Sequence, residues 1–180
     1  MKDLSKTTTM SEFEISDSTN NGRIAAIRWD ILPWAVVLDL DAPVSEGADV
    51  LARRVWLVFI DLDQICFSKP QGLPVAPDVE TPGFRLPNGV RSTGDLYVNR
   101  KSEKTCEFGF TADFARYDEA DQLVEGGHRA VKIIAKSLIG VCSVAQDALD
   151  DHGSFSYEQR NSLASDLDLL VRVNRELAGL

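Results

Sequence analysis

The sequence predicts an α+β protein, with a mainly antiparallel β-sheet in its N-terminal two-thirds followed by two C-terminal α-helices. Three observations predict this class. Apolar and polar residues alternate with the period of a strand over residues 105–114. The link between the two most apolar segments is too short for a crossover helix, which favours antiparallel pairing. After residue 128 the apolar residues recur at helical spacing.

Strands are predicted wherever β-branched and aromatic residues cluster between turn residues. In the clearest case, Phe108, Phe110 and Ala112 alternate with polar or small residues, as in a half-buried strand. Pro33 interrupts the first segment and indicates a bulge or an edge position, because proline cannot donate to a ladder. The predicted strands are 23–31, 34–42, 54–67, 95–99 and 105–114.

Two helices are predicted in the last third. Residues 128–149 carry apolar side chains at helical spacing, although the alternation over 130–139 is also compatible with a strand. In the final segment Ser156 and Gln159 fit a capping box. An apolar stripe of this final helix is formed by Leu163, Leu167, Leu170 and Leu177.

We expect one domain over residues 22–180, preceded by a flexible tail over 1–21 that is rich in Ser and Thr. A short edge strand at 13–15 is the alternative for that tail. Residues 68–94 hold five of the seven prolines, which predicts a long loop, with 89–94 as a turn.

Composition limits the classes of function. The net charge of −9 argues against nucleic acid and against an anionic membrane surface, because both attract basic proteins. No apolar run has the length of a membrane span or a signal peptide. The three cysteines are distant from one another, which is typical of reduced thiols in the cytoplasm. We expect no cofactor and no metal.

Two segments have similar sequences, namely WAVVLDLD (34–41) and WLVFIDLD (56–63). Residues two apart on a strand share a face, so Asp39 lies beside Asp41 and Asp61 lies beside Asp63. Such pairs can hold a hard divalent cation or share a proton.

The stretch VFIDLDQI resembles the first motif of haloacid dehalogenase-type phosphatases, an apolar strand followed by Asp-x-Asp. That resemblance implies a magnesium-dependent phosphohydrolase with Asp61 as nucleophile and Asp63 as general acid/base. It covers about eight residues, and Gln64 and Ile65 replace the small or β-branched polar residues that continue the family's motif.

Antiparallel pairing of 34–42 with 54–67 places the two acidic pairs at opposite ends of the ladder, so they cannot form one site. The carboxylates then mark where each strand leaves the core and block edge-to-edge association. This interpretation is favoured over catalysis.

Charge is unevenly distributed, with seven acidic against two basic residues over 30–63 and five basic against two acidic over 84–104. This pattern is compatible equally with recognition of a protein partner and with internal salt bridges between the two segments. The sequence therefore predicts a non-enzymatic, acidic, cytoplasmic protein-binding module, for example an immunity-type inhibitor or a chaperone-like partner. A homo-oligomeric structural subunit, for instance a homodimer, that associates through the C-terminal leucine stripe is a further alternative. The predicted partner-binding residues are Asp39, Asp41, Asp61, Asp63, Arg85 and Arg91.

Overall fold

The computed structural model describes residues 6–19, 22–44, 51–68, 89–117, 119–120, 123–150 and 154–179. In chain order the elements are β1 (Thr7–Thr9), α1 (Glu12–Thr19), β2 (Arg23–Arg28), β3 (Ala35–Pro43), β4 (Leu51–Phe67), β5 (Gly89–Arg100), β6 (Cys106–Tyr117), β7 (Leu123–Ser143), β8 (Asp147–Ala148), α2 (Tyr157–Leu163) and α3 (Asp166–Ala178).

The sheet is antiparallel throughout and closes on itself. Its strand order is β1-β7-β6-β5-β2-β3-β4-β8, and an additional pairing joins β4 to β7. Six strands therefore form a ring, and β1 and β8 extend it. The junction between β2 and β5 is the shortest in the ring, since only Arg23 and Ile24 of β2 have partners on β5. The predicted fold class, an antiparallel sheet followed by two C-terminal helices, is confirmed.

Strand β3 and residues 54–60 of β4 are buried on both faces. Along β3, Val36 and Leu38 face the interior of the ring, whereas Val37 belongs to a second cluster on the outer face. Leu169 and Val173 of α3 are fully buried in this outer cluster. Double burial explains why these strands read as continuous apolar runs rather than as an alternation.

The N-terminal residues form two elements within the segment for which the sequence predicts a tail. β1 pairs with the end of β7, and α1 then carries Ile15 into the core of the ring. Ile15 packs against Gly140 so closely that a Cβ there would lie 2.4 Å from its Cγ1 atom. The predicted edge strand at 13–15 is therefore wrong, because these residues belong to α1.

The predicted helix over 128–149 is wrong as well, and the competing strand is correct. β7 runs from Leu123 to Ser143 and pairs with β4 on one edge and with β6 on the other. Val131 and Ile133 face the interior, while Ile139 and Val141 pack on the outer cluster. Apolar residues on both faces mimic helical spacing, so periodicity alone could not separate the two structures.

The predicted final helix is divided into two. α2 begins after Ser156, and its predicted capping box with Gln159 is present. A second capping box starts α3 at Ser165, which explains why the chain bends there. Of the predicted stripe, Leu163 is buried, but Leu167 is 45% and Leu177 is 50% exposed.

The predicted turn at 89–94 is also wrong, because these residues begin β5. The greater part of the predicted proline-rich loop, residues 69–88, lies outside the described residues. Among the helices that the structure describes, none has the length and the apolar character that crossing a membrane requires.

Candidate functional site

A network of charged side chains lies between the outer face of the sheet and the junction of α2 with α3. At its centre, Arg54 of β4 donates to both carboxylate oxygens of Asp39 on β3, at 3.2 and 2.6 Å. Its Nη1 atom also donates to the Ala164 carbonyl at 2.8 Å, at the end of α2. The guanidinium stacks 4.5 Å from the ring centroid of Trp56. Arg54 therefore fixes the helix junction to the sheet.

Asp41 forms the second pair of this network. Its Oδ2 atom accepts from Nη2 of Arg160 on α2 at 2.5 Å and from the Phe155 backbone at 3.2 Å. Its Oδ1 atom is buried and has no hydrogen-bond partner among the described residues. Burial raises the pKa of Asp41 to about 6, and the guanidinium of Arg160 only partly opposes this effect.

Asp166, the first residue of α3, extends the network outwards. One of its oxygens accepts from Arg54 at 3.2 Å and the other accepts from Arg28 of β2 at 3.1 Å. Arg28 also donates twice to Asp30, in the bend that follows β2, at 2.8 and 2.7 Å. The carboxylate of Asp166 thus joins a buried arginine to one at the surface.

A cleft of 420 Å³ opens beside this network, between β2 and α2. Small residues of β2, Ala25 and Ala26, leave the space that separates the sheet from the helix. The charged lining comes from Arg23, Arg28, Arg54, Arg160, Asp39 and Asp166. Tyr157 stands at the rim and is 77% exposed.

The arginines and aspartates of this network neutralise one another. Arg54 is paired with Asp39 and Arg160 is paired with Asp41, and each pair is largely removed from water. In the second pair, Oδ1 of Asp41 and Nη1 of Arg160 are buried without a hydrogen-bond partner among the described residues. Among the described residues, no three His, Cys, Asp or Glu side chains are grouped to hold a metal ion. Ser154 also lines the cleft, and its hydroxyl donates to the carboxylate oxygens of Asp150, each at 3.2 Å.

The two acidic pairs are separated along the β3–β4 ladder, as the antiparallel pairing predicts. Asp39 and Asp41 are opposite Trp56 and Arg54, whereas Asp61 follows the last residue of the ladder, Ile60. The motif of the haloacid dehalogenase-type phosphatases requires a parallel strand that leads into a helix. Because β4 is antiparallel to both β3 and β7, that requirement is not met here.

The first predicted pair has internal partners. Asp39 and Asp41 are 3% and 1% exposed and bind arginines of the same chain. Burial of this kind leaves their carboxylates little surface to offer a partner.

The second pair is exposed. Asp61 has a left-handed backbone (φ 50°), and its carboxylate lies 3.5 Å from Nζ of Lys136. A register shift between Leu62 and Gln64 sets Asp63 in a bulge, which interrupts the regular alternation on which a shared face depends. Arg85 lies outside the described residues, and Arg91 lies on β5, opposite Asp113. A role of these residues in partner binding stays a prediction.

Sequence reasoning did not find the arginines that build the site. Arg54 carried a signal, since it is a charged residue directly before the apolar run VWLVFI. A charge at such a position is buried only with a partner, and Asp39 and Asp41 were candidates for it. For Arg28, Tyr157 and Arg160 the sequence carried no comparable signal, because their neighbours in space are distant in the chain.

The fold and the site together define an α+β protein whose closed antiparallel sheet carries a polar, arginine-lined cleft at its helical side. No family model, no curated protein and no solved structure matches this chain. Its function is therefore inferred from its own geometry.

Proposed function

We propose that this chain is a non-enzymatic protein-binding module that engages a protein partner through the cleft and its rim. The observation that carries the proposal is Tyr157, a large aromatic side chain that is 77% exposed at the edge of a cleft lined by arginines. Tyrosine, tryptophan and arginine dominate the energetics of protein interfaces, because each combines a large contact area with hydrogen bonding.

A second exposed aromatic residue is next in the chain to a residue of the cleft. Trp29 is 56% exposed and directly follows Arg28, which lines the cleft. Tryptophan is also enriched at protein interfaces, which supports the proposal. The buried pairs Arg54–Asp39 and Arg160–Asp41 hold the sheet and α2 together, which makes the two walls of the cleft a rigid surface.

The net charge of −9 favours a basic partner by long-range attraction. An immunity-type inhibitor of a basic toxin is the form of partner binding that this charge supports best, and a chaperone-like role is the alternative. The proposal places the protein in the cytoplasm, where its three free cysteines stay reduced.

The experiment has two stages. The tagged protein is used to capture partners from an extract of the cells that produce it, and the captured protein is then purified and titrated by calorimetry. We expect Tyr157→Ala to weaken that complex by about tenfold or more, as at an interface hot spot. Tyr97→Ala is the matched control, because Tyr97 is 49% exposed on β5, on a different part of the sheet.

Two results would overturn the proposal. One is the absence of any protein that binds the purified chain with a defined stoichiometry. The other is a partner whose affinity is reduced equally by Tyr157→Ala and by Tyr97→Ala, or by neither.

A further inference from the structure

The cleft is rich in arginine, although the charges around it are balanced. Four arginines and two aspartates line it, and two further aspartates, Asp30 and Asp41, bind Arg28 and Arg160. Arginine matches a carboxylate geometrically, because two parallel N–H groups meet two oxygens. An arginine of the cleft that can exchange its internal carboxylate is therefore suited to a carboxylate from a ligand.

The arginines differ in how firmly they are held. All three nitrogens of Arg54 donate within the protein, to Asp39, to Asp166 and to the Ala164 carbonyl. Arg160 is bound to Asp41, and its Nη1 atom lies 3.6 Å from Asp39, beyond hydrogen-bond length. Arg54 and Arg160 therefore serve mainly to hold the helices on the sheet.

Arg28 is different, because its stronger partner is at the surface. Asp166 fixes one of its nitrogens from the inner side, and the Nε–Nη2 edge of the guanidinium faces Asp30 with two hydrogen bonds. The side chain of Asp30 is 68% exposed and lies in the bend after β2, outside any regular element. The Arg28 guanidinium holds the pKa of Asp30 at about 2, so this carboxylate is charged at neutral pH.

We propose that Arg28 is the receptor for a carboxylate of the protein partner, and that Asp30 occupies this position in the free protein as an internal competitor. The inference rests on the proposed function, since it names the group that the partner brings to the cleft. It assigns opposite effects to the two members of one ion pair. Arg28 promotes binding, and Asp30 opposes it.

Replacing Asp30 by a carboxylate of the partner changes the free energy of the protein only slightly. An exposed ion pair contributes little to stability, because water solvates both charges nearly as well. Asp166 remains bound to Arg28 when Asp30 leaves, so the guanidinium keeps its place at the wall of the cleft. A partner carboxylate then makes the same two-bond contact that Asp30 makes in the free protein.

The test uses small probes and does not need the partner. Succinate and inorganic phosphate are titrated separately into ¹⁵N-labelled protein at neutral pH and low ionic strength, and the arginine Nε–H resonances are followed. We expect succinate to shift the Arg28 resonance, and Asp30→Asn to tighten succinate binding about three- to fivefold, the range that an exposed ion pair allows. Arg28→Gln is expected to abolish the response.

Matched controls separate this effect from a change in overall charge. Asp17→Asn removes an exposed carboxylate on α1, and Arg175→Gln removes an exposed guanidinium on α3. Neither is expected to change succinate binding. Thermal unfolding of each variant shows whether it is folded, and none of the substitutions replaces Arg54 or Asp39.

The inference is overturned if Asp30→Asn leaves binding unchanged or weakens it, since a purely structural ion pair would give that result. Tighter binding of phosphate than of succinate would overturn the assignment of a carboxylate. Failure of the proposed function is a separate outcome. If the protein binds succinate through Arg28 but no protein partner is found, the carboxylate site stands and only the proposal of a protein as its ligand fails.

Discussion

Arg54 forms its buried salt bridge with Asp39, although the residue directly opposite Arg54 in the β3–β4 ladder is Asp41. The diagonal contact lets the guanidinium lie over Trp56, which is opposite Asp39. Asp41 is then left to bind Arg160 of α2. One aspartate thus binds within the sheet, and the other binds the helix that covers it.

The first prediction concerns this diagonal pair. Arg54→Met is expected to lower the free energy of unfolding by about 3–5 kcal/mol, because it leaves the carboxylate of Asp39 buried without its partner. The double variant Arg54→Met/Asp39→Leu is expected to recover most of that loss. Urea denaturation at neutral pH measures both, and a loss below about 1 kcal/mol in the single variant would contradict the prediction.

The second prediction concerns pH. Burial raises the pKa of Asp41 from its ordinary value of 3.8 to about 6. The folded protein therefore keeps this proton where the unfolded chain has released it. The resulting stabilisation is fully present below about pH 4 and is lost as the pH rises through about 6.

Asp41→Asn removes this dependence. Between pH 4 and pH 7, the free energy of unfolding of the wild-type protein is expected to fall by about 2 kcal/mol relative to that of Asp41→Asn. Asp63→Asn, at an exposed position, is the control and is expected to follow the wild-type curve. Parallel curves for the wild type and Asp41→Asn would show that the carboxyl titrates alike in both states.

The third prediction concerns the contact of α1 with β7. Gly140→Ala is expected to destabilise the protein by about 1–3 kcal/mol, because the new Cβ meets atoms that are held in the core. It would lie 2.4 Å from Cγ1 of Ile15. Faster proteolysis within residues 6–19 is expected to accompany the loss, because α1 is the element displaced.

Gly109→Ala is the matched control for that variant. Its Cβ would lie 2.3 Å from the ring of Tyr97, a side chain that is 49% exposed and can rotate away. A small change in the melting temperature is expected here. If both variants are destabilised equally, the tight packing of α1 is not what Gly140 provides.

The fourth prediction concerns thiol reactivity. Cys142 is fully buried, and burial raises the pKa of its thiol, so little thiolate forms. Cys66 and Cys106 are partly exposed. In the native protein we expect a colorimetric thiol reagent to modify Cys66 and Cys106 while Cys142 reacts only after unfolding in urea. Mass spectrometry of the modified peptides identifies each site, and rapid native labelling of Cys142 would contradict the prediction.

Much of the sheet could be predicted from the sequence. The strands at 34–42 and 54–67 follow from their β-branched and aromatic residues, and their antiparallel pairing follows from a link too short for a crossover helix. The separation of the two acidic pairs follows from that pairing. These are local properties, each contained in a few neighbouring residues.

The structure of 128–143 could not be predicted in this way. Its apolar residues face both the ring interior and the outer cluster, so the pattern fits a helix and a strand equally well. Only the pairing of β7 with β4 and β6 decides between them, because it supplies hydrogen bonds along both edges. The helix at residues 12–19 also depends on a distant part of the chain, since Ile15 packs against Gly140 in the core.

The sequence by itself determined the strands at 34–42, 54–67 and 105–114, the helical character of the last segment and the acidity of the protein. Only the tertiary structure decided where the charges act. It buries Asp39 and Asp41 against Arg54 and Arg160, and it places Arg28 and Tyr157 beside an open cleft. The physical reason is distance along the chain. From the sequence alone, a carboxylate without a neighbouring basic residue is expected at the surface. Its burial becomes favourable only when folding brings an arginine from a distant part of the chain into contact with it.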